Sequence, residues 1–126
     1  KSEVNMDRKS LKFKNEELFL EVGQYRNNGN IAIIAYTKDE LYGDITINLS
    51  GYSIDENEGF IQPINKDSGL EKALIKKGII KEVITTVNYN MGKYDMVAFN
   101  VEKLKEYDPL GVTKYQQSIE KEEEFE

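Results

Sequence analysis

Two short polar segments, Asn27-Asn28-Gly29-Asn30 and Asn90-Met91-Gly92-Lys93, constrain the fold more than anything else in the chain. Asn and Gly tolerate the positive φ of tight hairpin turns, and each segment sits between strand-like runs. Before the first turn, Leu18, Leu20 and Val22 alternate with Phe19, Glu21 and Gly23, the period of a half-buried strand. After it comes Ile31-Ala32-Ile33-Ile34-Ala35-Tyr36, apolar on both faces and therefore expected to be central. The second turn joins Val83, Thr85, Val87 and Tyr89 to Tyr94 through Phe99. Connections this short leave no room for the crossover that parallel neighbours need. The sheet is expected to be mainly antiparallel.

Between the hairpins, Thr37 to Glu40 is a polar connection, and Ile45, Ile47 and Leu49 alternate as a further strand. A short extended piece, Phe60-Ile61-Gln62-Pro63, follows, and Pro63 restricts it to an edge or a strand end. Ser68 to Lys77 reads as the main helix, with Ser68 and Glu71 as a capping box and Leu70, Ala73 and Leu74 on one face. Gly78 supplies its left-handed stop. Val101, Leu104 and Tyr107 predict a short helix ending before Asp108-Pro109. The fold expected is α+β: about five strands, one packed helix at 68–77 and a short C-terminal helix. Residues 1–16 read as a loosely held entry segment with at most a turn of helix, 17–112 as a single domain, and 113–126 as a charged tail that frays as a helix.

The 126 residues suffice for one core without disulfides or a structural metal. The chain contains no Trp, His or Cys. That removes thiolate nucleophiles, Fe–S and cysteine zinc sites, the Ser-His-Asp triad and imidazole ligands. Carboxylate, Lys or Tyr chemistry and oxygen-only Ca²⁺ or Mg²⁺ sites remain. The net charge is −6, of which residues 120–126 (EKEEEFE) carry −4. The nearly balanced remainder has no basic excess for nucleic acid or an anionic membrane, and no apolar run approaches the roughly 20 residues of a span. The chain opens Lys1-Ser2-Glu3-Val4, which we read as a trimmed or processed form. The missing cysteines fit the cytoplasm, and fit bacterial export as well.

The bend Ser53-Ile54-Asp55-Glu56-Asn57-Glu58-Gly59 has the composition of a calcium loop but not its spacing. Counted from Asp55, Gly59 falls one position early, and Lys66 stands where an EF-hand has its bidentate glutamate. A solvated turn is the better reading. The neighbouring carboxylates Glu16/Glu17, Asp39/Glu40 and Glu56/Glu58 all lie in charged, surface-like contexts. No phosphate-binding glycine motif is present, and the tyrosines carry no RNP-like motif and read as sheet packing. Tyr52, Asp55, Glu56, Glu58, Tyr89 and Tyr94 are the candidate interaction surface; no catalytic, cofactor or metal residue is assigned.

One resemblance enters here. Ile45-Thr46-Ile47-Asn48-Leu49, Asn57-Glu58-Gly59-Phe60-Ile61, the helix ending in Lys77-Gly78-Ile79-Ile80, Tyr94 through Phe99 and Leu104 through Gly111 follow one another in order. Over about residues 42–117 this series resembles a family of small proteins from conjugative and other mobile elements of Gram-positive bacteria, domain of unknown function 4313. The resemblance implies a bacterial, mobile-element origin and no activity or catalytic residue. We therefore expect a non-enzymatic accessory or protein-interaction domain with an unidentified protein partner, no cofactor, and no direct contact with nucleic acid or membrane. An acidic regulator or anti-defence protein meeting a basic, nucleic-acid-binding partner ranks second, and a carboxylate-dependent enzyme last.

Overall fold

The computed structural model describes residues 8–124, with side chains to residue 121. The expected α+β class holds, but the strands form two antiparallel four-stranded sheets rather than one of about five. The first contains β1 (Leu11–Phe13), β2 (Glu16–Gln24), β3 (Ile31–Tyr36) and β4 (Leu41–Asp44), in that order. The second contains β5 (Thr46–Ile47), β6 (Glu58–Ile61), β8 (Gly92–Phe99) and β7 (Ile80–Tyr89), in that spatial order. Helices α1 (Pro63–Ser68) and α2 (Leu70–Lys76) connect β6 to β7, and α3 (Val101–Tyr107) and α4 (Pro109–Glu124) follow β8.

Both expected hairpins form. The first has a longer loop, closed by Tyr25 N–H to Asn30 O and Gly29 N–H to Tyr25 O, with Gly29 at φ 74°. The second is a two-residue turn, Asn90 and Met91, both at positive φ between the paired Tyr89 and Gly92. A further turn of this kind, Lys14-Asn15, lies in the segment expected to be loosely held. It folds β1 onto the start of β2 and buries Leu11 and Phe13, so the described part of the entry segment belongs to the sheet. The strand at Ile31–Tyr36 is internal, as its apolar faces require.

The strand expected at 45–49 shortens to Thr46–Ile47, because Ile45 marks the passage between sheets. Ile45 N–H donates to Ile33 O, Ile33 N–H donates to Thr46 Oγ1, and the buried Asn65 amide caps the Asp44 and Ile45 carbonyls at 2.9 and 3.0 Å. The two sheets thus meet at β3 and β5. Their facing sides, with Leu20, Ile33, Ile61, Val97 and Phe99, enclose one core that Leu74, Leu104 and Tyr115 close from the helices. A fully buried side chain of this size contributes about 1.5–3 kcal/mol.

The helix at 68–77 needs correction. Pro63 does end β6, yet it also opens α1 from its first position, where its missing N–H costs nothing. Gly69 at φ 93° then breaks the run, so two short helices replace one. No capping box forms: Glu71 turns inward and is 5% exposed. Gly78 does supply the stop, with Ile79 N–H to Leu74 O and Gly78 N–H to Ile75 O closing a Schellman motif.

Pro109 likewise starts α4 instead of merely ending α3. Residues expected to fray from 113 onward are helical through Glu124, and Val112 and Tyr115 lie in the core with Ile119 packed against it. The side chains of most of the acidic run 120–126 fall outside the described residues. No helix among the described residues is long and apolar enough to cross a membrane.

Candidate functional site

Along β8, Asp95, Val97 and Phe99 are buried, while Tyr94, Met96 and Ala98 point to the opposite, half-open face. Register carries that face across the sheet: Phe60 and Glu58 of β6 pair with Met96 and Ala98, and Val87 of β7 pairs with Tyr94. The loop after β5 lays Tyr52 over it. The Tyr52 ring centroid is 5.6 Å from that of Phe60 and 6.4 Å from Tyr89, and Tyr89 meets Tyr94 edge-on at 6.2 Å. Tyr52 Oη donates to Asn88 O at 2.6 Å, and the Ser50 and Tyr89 hydroxyls pair at 2.8 Å. The three candidate tyrosines, separate in sequence, form one aromatic face.

The acidic bend borders that face. Asn57 sits at φ 70°; its N–H donates to Tyr115 Oη at 2.7 Å and its carbonyl accepts from Phe99 N–H at 2.8 Å. Glu58 turns its carboxylate back onto Asp55 N–H at 3.0 Å, as a turn residue does. Asp55 and Glu56 are exposed, and neither they nor Glu58 makes an ion pair among the described residues. No group of three carboxylates suited to a metal ion occurs among the described residues.

Beside the tyrosines, β7 is the outermost strand of its sheet, and Val83 and Ile84 are about 40% exposed. Two register irregularities, between Ile80 and Glu82 and between Val83 and Thr85, twist its first half. From Thr85 to Tyr89 the pairing with β8 is regular, and no strand among the described residues pairs its outer margin, where Tyr52 Oη holds the Asn88 carbonyl.

A second cluster lies on the buried side of the same sheet, and no adjacent pair in sequence announced it. Glu71 of α2 faces Asp95 of β8, which is 6% exposed. Asp95 also accepts from Thr86 Oγ1 at 2.7 Å and is 3.1 Å from Lys66 Nζ of α1. Glu71 Oε1 is buried without a hydrogen-bond partner among the described residues. Burial, with Asp95 opposite, lifts the Glu71 carboxyl from 4.5 to about 7. Burial alone would also raise Asp95, but hydrogen bonds from Glu71, Thr86 and Lys66 outweigh it and hold that carboxyl below its ordinary value. Two carboxylates have no donor between them, so a proton on Glu71 supplies the missing bond. The pair lines neither the groove of about 430 Å³ between β2, β3 and α4 nor the cleft of about 500 Å³ between β4 and α1.

A third node ties the helices to the first sheet. Asp108 caps α4 by accepting from Gly111 N–H at 3.1 Å, while its other oxygen accepts from Val22 N–H at 2.8 Å. Arg8 lies 3.7 Å from Asp108 and donates to the carbonyls of Leu20 and Tyr107. Gly111 has no room for a side chain: a Cβ there would stand 2.2 Å from Asp108 Oδ2 and 2.4 Å from Val22 O.

A family model described as Domain of unknown function (DUF4313) matches residues 19–119, from β2 to deep within α4. The chain belongs to the DUF4313 family. The match begins well before the residues that carry the resemblance, so it covers most of the first sheet as well as the second. Two of the segments that carry the resemblance serve packing. Asp108-Pro109-Leu110-Gly111 caps α4 and presses it on β2, and Asn57 through Phe60 pin the bend to α4 and β8. No curated protein and no solved structure matches the chain.

Proposed function

We propose that this DUF4313 domain is a non-enzymatic interaction module that binds an extended, basic segment of another protein along Thr85–Tyr89 and across the tyrosine face. The observation that carries this reading is the convergence of Tyr52, Tyr89 and Tyr94 on an open sheet face beside a margin that no strand among the described residues pairs. Such a margin offers main-chain hydrogen bonds to an added strand. Exposed ring faces attract Lys and Arg, worth about 0.5–1 kcal/mol each at exposed sites. Asp55 and Glu56, carrying no ion pair among the described residues, supply matching charge. The family resemblance further suggests the cytoplasm of a Gram-positive bacterium carrying a mobile element as the setting.

Selection from a displayed library of random peptides tests this directly. Enriched sequences should be rich in Lys and Arg, should bind more weakly at high salt, and should lose binding to Tyr52→Ala and Tyr89→Ala. Enrichment that ignores both substitutions, or none above background alongside reproducible turnover in a substrate screen, overturns it.

A further inference from the structure

We propose that the Glu71–Asp95 contact is a proton-operated latch that holds α2 against the β7–β8 ribbon. The geometry begins with α2 itself. It is a seven-residue helix set between Gly69 at φ 93° and Gly78 at φ 80°, and a Cβ at either glycine would meet open space. Both joints thus carry no side chain of their own, and the buried Leu70 and Ile79 flank them. The helix is held by Leu70 and Leu74 in the core and by Glu71 against the strand.

The groups facing Glu71 come from three directions. Asp95 projects from β8 and is bound in turn by Thr86 of β7. Lys66 reaches in from α1, but its side chain is 61% exposed and its contact is with Asp95, at 3.1 Å. Asp67 and Glu71 act on Lys66 in the same sense as Asp95. Protonated Glu71 donates its hydrogen to Asp95 and closes the latch. Ionised Glu71 places a second negative charge beside Asp95 with one partly solvated ammonium to serve both, and its buried Oε1 has no donor. Moving α2 outward returns that oxygen to water. The Glu71 carboxyl, lifted to about 7 by burial and by Asp95, places the change near neutrality. Opening becomes easier as pH rises toward that value and levels off above it.

Each pH unit between the free and the latched titration points shifts the opening equilibrium by up to tenfold. Amide hydrogen exchange on the full chain, expressed as protection factors corrected for intrinsic exchange, reads it out. Amides of α2 should lose about tenfold or more in protection between pH 5.5 and 7.5, while those of β2 and β3 stay level. Glu71→Gln, which keeps a donor toward Asp95 at every pH, should flatten the α2 response. Because that variant alone could fold poorly, the ¹³C-detected Glu71 carboxyl titration in the unmodified chain provides a second reading, with a midpoint near neutrality expected. A midpoint in the ordinary glutamate range, or an α2 pH response that survives Glu71→Gln in the folded variant, overturns the latch. Neither measurement involves a binding partner, so the outcome is independent of the interaction reading.

Discussion

The outer margins of β2 and β7 are finished in opposite ways. Along β2, β1 pairs the first residues, Arg8 then takes the Leu20 carbonyl, and Asp108 takes the Val22 N–H. Strand, cation and helix cap follow one another along it. Along β7, the margin from Thr85 to Tyr89 has no neighbouring strand among the described residues, and Tyr52 Oη bonds the Asn88 carbonyl there. The first half carries bulges that discourage edge pairing. The sealed margin is where Asp108-Pro109-Leu110-Gly111 lies, and the open one adjoins the tyrosine face. Asp108 and Gly111 thus hold this fold together, while Tyr52, Tyr89 and Tyr94 border the margin left open.

Breaking the sealed margin should have the largest effect. Gly111→Ala drives a methyl into the Val22 carbonyl and the locked Asp108 carboxylate, and should cost about 3 kcal/mol or more in chemical denaturation. Asp108→Ala removes the acceptor of two backbone N–H groups and leaves Arg8 without its anion. A loss of about 2–4 kcal/mol is expected, with α4 amides exchanging first.

The buried side of the open sheet should respond to pH. Between 4.5 and about 7 the folded chain holds a proton on Glu71 that the unfolded chain has released, so stability falls as pH rises through that interval and levels above it. The fall should be roughly 1–3 kcal/mol and should vanish in Glu71→Gln, as followed by denaturation at a series of pH values. Asp95 acts in the opposite sense: its folded carboxyl titrates below the ordinary value, so its contribution is lost as acid protonates it. The smallest effect belongs to the bulged half of β7. Val83→Thr should change stability by no more than about 0.5 kcal/mol, because the side chain already meets water.

Much of the first layer of this structure is legible in the chain. Both hairpins, the helix at Val101–Tyr107 and the Gly78 stop depend on neighbours within a few residues, where turn and cap chemistry decides. Prolines misled in one direction: Pro63 and Pro109 were read as stops, although each also begins a helix. Gly69 is hidden as a break because Ser68 and Glu71 match a capping box, and the pull of Glu71 toward Asp95 is invisible without the strand that carries Asp95. The division into two sheets is equally non-local, since it rests on Asn65 bonding the Asp44 and Ile45 carbonyls. Of the candidate surface, the tyrosines were identifiable as strand and loop aromatics. Their meeting on one face depends on cross-strand register and on how the loop crosses the sheet.

The comparison of margins is tested most directly by a photo-reactive residue placed at position 85 on β7 or at position 21 on β2 of the intact protein in its native cells. Position 85 should give a defined adduct whose cross-linked peptide is extended and rich in Lys and Arg, lost when Tyr52→Ala and Tyr89→Ala are added; position 21 should give none. Equal adducts from both positions, no adduct from position 85, or a captured peptide without basic residues would contradict an interaction module built on the open edge.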